Sequence, residues 1–121
     1  MINATFCFNP VRSDFIQPAL DSLYKYTDMT NNKVVVVDQT QDCLKLSRNQ
    51  LHLVLKPWRN LGFAKSMNEA FIHGIRWNSK FIIASNDDLL LINKRWWEGI
   101  LETFATDDRI LVVNPECPRV P

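Results

Sequence analysis

The chain has 121 residues, 46% apolar and 22% charged, a balance that fits one globular domain with its own core and excludes disorder or a fibrous repeat. Its formal net charge of +1 is spread over interspersed acidic and basic residues, which excludes an electrostatic footprint for nucleic acid and makes any phosphate binding local. Cys7, Cys43 and Cys117 are odd in number and lack CxxC spacing, and His52 and His73 stand far apart, so neither a zinc site nor a disulfide framework is indicated.

No apolar run reaches the roughly 18 to 20 residues that span a bilayer, and the N-terminus lacks a basic segment followed by an uninterrupted hydrophobic stretch. A cytoplasmic protein without a transmembrane segment is the expectation.

Residues 2–8 are rich in β-branched and aromatic types and stop at Asn9-Pro10, where proline's missing N–H discourages further pairing, so a first strand and a loop are predicted. From Ser13 onward Phe15, Ala19, Leu23 and Tyr26 recur at helical spacing, with Pro18 in a first turn or at a kink. Residues 33–38 read Lys-Val-Val-Val-Val-Asp, the pattern of a strand buried on both faces of a parallel sheet.

A third short strand is predicted at 51–55. Two breakers, Pro57 and Gly62, then precede a helix whose apolar face is Ala64, Met67, Phe71 and Ile75. Residues 81–85 give a fourth strand. A last helix carries Trp97, Ile100, Leu101 and Phe104 on one face, and a final strand is expected at Ile110 to Val113. The tail after Asn114, with three prolines, is poorly suited to regular structure. No repeat or linker divides the chain, so residues 1–121 are read as one domain.

Strands alternating with helices predict a three-layer α/β architecture, a largely parallel sheet with helices on both faces. Ligands of such sheets bind outside the carboxyl ends of the strands, and Asn9, Asp38 and the Asn86-Asp87-Asp88 run all stand at such ends. Two adjacent carboxylates repel unless a cation or hydrogen-bond donors offset their charge, and a hard divalent ion bridging to a diphosphate would do so. The plainer alternative is that one aspartate opens a turn and the other is solvated.

Asp38 has a similar pair of readings: a ligand for a base or ribose, or the residue that opens an Asx turn with Thr40 or Gln41. Asn60-x-Gly62, with Asn68 further on, suits a helix N-terminus with a tight entry and free N–H groups for an anion, or else a plain loop. Trp96 and Trp97 read as packing, and Cys7 as core.

The segments Thr5 to Pro10, Ala19 to Leu23, Val34 to Asp38, Asn60 to Ala64 with Asn68, Ile82 to Asp88, Trp97, and Val112 to Pro115 together resemble the nucleotide-sugar-binding half of the family-two, GT-A type glycosyltransferases. The resemblance implies a Rossmann-like donor half that binds a UDP-, GDP- or dTDP-linked sugar and transfers the sugar, with inversion, to a glycan, lipid or protein acceptor. It implies that Phe8, Asn9 and Asp38 hold the nucleobase, that Asp87 contacts the ribose and that Asp88 coordinates Mn²⁺ or Mg²⁺. Lys65 would neighbour the diphosphate, with Asn60, Gly62, Asn68 and Asn86 completing the donor site. Asn86 stands where the family's DxD motif often has its first aspartate.

The family usually continues with an acceptor-binding half that carries the general base, and nothing after Asn114 can supply it, so another domain or chain could complete the site and no catalytic base is assigned. A non-catalytic nucleotide-sugar-binding module is the alternative from a different class. A nucleotidyltransferase is disfavoured because Asn9-Pro10-Val11-Arg12 is not a glycine-rich, basic phosphate loop.

Overall fold

In a computed structural model, which describes residues 2–41 and 44–114, the chain forms a four-stranded, all-parallel sheet. Its strands are β1 (Ala4–Phe8), β2 (Asn32–Val37), β3 (Leu53–Leu55) and β4 (Phe81–Ser85), in the order β3-β2-β1-β4. Helix α1 (Ile16–Tyr26) connects β1 to β2, and α2 (Phe63–Arg76) carries the chain from β3 back across the sheet to β4. Helix α3 (Arg95–Thr106) follows β4, and one 3-10 turn at Arg48–Gln50 lies before β3.

The central strands of this parallel sheet leave no face for water, because the helices cover both sides. Phe6, Phe8, Val34 and Val36 point to one side and pack against Ile16, Leu20 and Leu23 of α1 and against Trp97 and Ile100 of α3. Cys7, Val35 and Val37 point to the other side, where α2 covers them with Met67 and Ala70. The expected three layers are thus present, with β1 and β2 covered on both faces.

Local chemistry sets the element ends. Pro18 occupies the third position of α1, inside the turn whose N–H groups have no intrahelical acceptor, so its missing donor costs nothing there. Between α1 and β2 the Asp28 carboxylate accepts from the Thr30 N–H and hydroxyl, at 3.0 and 2.6 Å. Those two hydrogen bonds hold its carboxyl below its ordinary pKa. Asn32 then registers β2 against β1: its Oδ1 accepts from the Ala4 N–H at 3.0 Å, and its Nδ2 donates to the Asp28 carbonyl. Helix α2 ends with Asn78 at φ 55°, the Asn78 N–H donating to Ile75 and the Ser79 N–H to Gly74, a Schellman closure in which asparagine takes the left-handed position.

Three expectations are corrected. Ile110 to Val113 forms no strand; Leu111 and Val112 are 87% and 76% exposed, and β4 pairs with no strand beyond β1 among the described residues. A run of apolar β-formers becomes a strand only where a partner ladder is present.

The buried face of α2 is Ser66, Met67, Ala70 and Gly74, not the face through Ala64 and Ile75, which are exposed. Small residues at i, i+4 and i+8 let the helix axis approach the sheet, so the packed stripe is set by size as well as by hydrophobicity. In α1, Ile16 and Leu20 join Ala19 and Leu23 in the core, while Phe15 is the exposed N-cap residue and Tyr26 is half-buried.

Trp96 and Trp97 are packing residues, as expected. Trp97 meets Phe6 and Phe81 edge-on at 5.7 Å, and the Trp96 indole N–H donates to the Thr27 hydroxyl at 2.8 Å. Cys43, Cys117 and the tail beyond Asn114 lie outside the described residues.

The contact between α2 and the sheet is tightest at Gly74, where an added Cβ would stand 3.1 Å from Ile82 Cδ1 and 3.3 Å from Thr5 Cβ. Gly74→Val gains a few tenths of a kcal/mol in helix propensity but drives two methyl groups into that contact, which costs about 1–3 kcal/mol. Urea unfolding should show a lower midpoint at unchanged slope; an equal or higher midpoint would mean that the helix has room to move outward.

Candidate functional site

The strand order reverses between β1 and β4, since the chain builds leftward through β2 and β3 before α2 carries it to the other edge. Open α/β sheets bind ligands at this switch point, outside the carboxyl ends. A cavity of about 390 Å³ lies there, with Asn9 from the end of β1, Asn86 and Asp87 from the end of β4, and Asn60 and Gly62 from the entry to α2 in its walls. A larger cavity of about 710 Å³ adjoins it beyond the ends of β2 and β3, and the two share Val11, Arg12, Gln39 and Asn60.

One serine hydroxyl fixes the loops around both cavities. Ser66 Oγ donates to the Gly62 carbonyl at 2.7 Å and accepts from Asn9 Nδ2 at 2.9 Å and Gln39 Nε2 at 3.2 Å, which uses its single proton and both lone pairs. Gln39 extends the tie: its Oε1 accepts from the Leu61 N–H at 2.8 Å and its own N–H donates to the Pro10 carbonyl at 2.9 Å. The loops after β1, β2 and β3 are therefore joined at buried positions, with Ser66 fully enclosed and Gln39 only 6% exposed.

At the entry to α2, Gly62 has φ +79° and the Asn60 side chain accepts from the Gly62 N–H at 2.8 Å. A residue with a Cβ is strained at that φ, so Asn60-x-Gly62 is a tight entry turn that aims the first turn of α2 at the smaller cavity.

The remaining expected site residues are distributed otherwise. Phe8 is 1% exposed and packs in the core beneath α1. Asp38 is 4% exposed; its carboxylate accepts from the N–H and hydroxyl of Thr40 and pairs with Lys56 Nζ at 3.3 Å, while Lys56 also donates to the Thr40 carbonyl. The Asx-turn alternative for Asp38 is the one that forms, a repeat of the Asp28-Thr30 arrangement. Lys65 and Asn68 are exposed on α2, away from both cavity walls.

Asp87 is half-buried in the wall of the smaller cavity, and Asp88 is exposed beside it in the turn closed by the Leu89 N–H on the Asn86 carbonyl. No group of three or more His, Cys, Asp or Glu side chains converges among the described residues. The buried Cys7 thiol is pushed up to about 12 by desolvation and is no nucleophile at neutral pH.

The sequence reading missed Gln39, Ser66, Arg12 and the Lys56 to Arg59 segment. Gln39 was findable: it follows a buried strand end within Asp38-x-Thr40, and an Asx turn there holds the middle residue over the sheet edge.

No family model matches the chain, and no curated protein matches it. Among solved structures it is similar to the crystal structure of S. aureus TarS, with a TM-score of 0.66 and 24% identity over 87% of this chain. The match covers 20% of TarS, so the chain spans about a fifth of that protein's length. The shared feature is the α/β fold.

The serine hub gives the second prediction. Ser66→Ala leaves the Asn9 and Gln39 amides short of an acceptor in a buried setting, which costs about 1–3 kcal/mol. Thermal unfolding of the variant should show a drop of several degrees, roughly 2–8 °C per kcal/mol for chains of about this length; an unchanged midpoint would show that water replaces the hydroxyl without loss.

Proposed function

We propose that the chain binds a nucleotide-diphosphate sugar at the switch-point crevice, as the donor-binding part of a glycosyltransferase. The observation that carries the reading is that Asn9, Asn60, Gly62, Asn86 and Asp87, from three separate loops, line one cavity between the carboxyl ends of β1 and β4. The fold shared with TarS, itself a glycosyltransferase, supports it.

The crevice offers what a diphosphate needs. The first turn of α2 opens on it with backbone N–H groups that no intrahelical carbonyl satisfies, and such groups favour an anion. Arg12, in the wall of both cavities, adds a positive charge.

Asp87 and Asp88 have no hydrogen bond or ion pair to another described side chain, unlike Asp38, and being half-buried and exposed they are accessible to a ligand. Two carboxylates are too few to cage a divalent ion alone, but Mg²⁺ and similar hard ions are commonly held by one or two carboxylates together with substrate phosphates. The pair therefore fits Mn²⁺ or Mg²⁺ only with the diphosphate in place, Asp88 as metal ligand and Asp87 facing the ribose. When bound, such an ion would offset the charge that develops on the departing diphosphate.

For transfer, a base must take the acceptor's proton. Among the described residues, the carboxylates in the two cavity walls are Asp14, paired to Arg12 at 3.7 Å, and Asp87. Asp87 is committed to the donor in this reading, so the base is proposed to come from outside the described residues.

Thermal shift with UDP, GDP and dTDP, with and without Mn²⁺, tests donor binding. A ligand at about 100 times its dissociation constant stabilises the fold by about 2.7 kcal/mol, on the order of ten degrees for this chain length, whereas Mn²⁺ alone should shift it little. No response to any of the three nucleotides would sink the donor-site reading. In the same assay Asp88→Ala should keep the melting point of the free protein and lose the Mn²⁺-dependent part of the shift; an undiminished shift would move the metal elsewhere.

A further inference from the structure

We infer that the indole of Trp58 is the platform on which the donor's nucleobase stacks, an inference that rests on the donor-site reading above. Trp58 follows β3 in the Lys56-Pro57-Trp58-Arg59 segment, is 88% exposed and lines the larger cavity. An indole that open to water is unusual for a residue of its size, and here no packing role accounts for it. The Arg59 guanidinium lies 4.9 Å from its ring centroid, so one face carries a cation and the opposite face is left for a ligand.

The other aromatic residue expected to meet the base is unavailable, because Phe8 is sealed in the core at the end of β1. Among the described residues, Trp58 is the one aromatic side chain in the wall of the larger cavity. A planar base presents a π-face whatever its hydrogen-bonding edge, and stacking on an aromatic side chain is a recurrent way to hold it.

The division of space agrees. The smaller cavity has Asp87 in its wall, with the exposed Asp88 next in sequence, and the helix entry, which suit ribose, diphosphate and metal. The larger one, nearly twice its volume, continues from it through Arg12, Gln39 and Asn60 and has room for the nucleobase. In the same wall, Ser13 and Gln41 supply polar side chains for the base edge.

The test compares wild type, Trp58→Ala and Trp58→Phe in equilibrium binding at fixed Mn²⁺, using UDP, GDP, dTDP, inorganic pyrophosphate and a hexose 1-phosphate as probes. Trp58→Ala should weaken the nucleotides about 5- to 150-fold, the range of measured base–aromatic stacking, and leave pyrophosphate and hexose 1-phosphate unchanged. Trp58→Phe should keep nucleotide affinity within a few-fold of wild type. Because the side chain is exposed, both variants should match the wild-type melting point without ligand. Wild-type nucleotide affinity in Trp58→Ala, or an equal loss for hexose 1-phosphate, overturns the stacking role while the donor site stands. Failure of the wild type to bind any nucleotide overturns the donor site, and the stacking role with it.

Discussion

The hydroxyl of Ser66 is the constraint on which the upper edge of the sheet depends. A parallel sheet delivers every strand's carboxyl end to the same side, where the loops that follow would otherwise move independently. Here the loops after β1, β2 and β3 are tied to one another through Asn9, Gln39 and Leu61, and the tie is anchored in the first turn of α2. Every member is satisfied, and such a buried network rigidifies its surroundings. A crevice assembled from separate loops is useful for binding only if those loops hold their spacing before the ligand arrives, since ordering them afterwards would consume binding energy.

The fold was legible where burial is extreme. The Val34 to Val37 run allowed only a central parallel strand, and the β-α-β-β-α-β-α order followed from apolar spacing alone. The helix faces were less legible because periodicity ranks residues by hydrophobicity, whereas α2 seats itself by size. Gly74 and Ser66 sit against the sheet while Ile75 faces water. The strand expected at Ile110 to Val113 shows the complementary limit: strand propensity is realised only by pairing, and the open edge of β4 takes no partner among the described residues.

At the site, residues were readable in proportion to how directly they end a strand or open a helix. Asn9, Asn60, Gly62, Asn86 and Asp87 belong to this class and converge. Asp38 ends a strand too, but its neighbours Thr40 and Lys56 enclose it, and a single sequence does not say which of two aspartates will find internal partners. Trp58 carries no motif at all, and Gln39 is marked only by its place inside Asp38-x-Thr40. Their roles arise from three loops being brought together, which is information held by the topology.

The all-parallel sheet has a kinetic side. No two of its strands are joined by a hairpin, so each ladder closes only after a long connection has been crossed, and the pairing of β1 with β4 spans most of the chain, Ala4 meeting Phe81. Loop-closure entropy must be spent before such contacts give anything back, which places folding toward the slow end for a chain of this length. Until β2 is paired with β1 on one side and with β3 on the other, the uncharged Val34 to Val37 segment remains open to pairing with other chains. Synthesis at low temperature and low chain concentration therefore favours the native sheet over its intermolecular competitors.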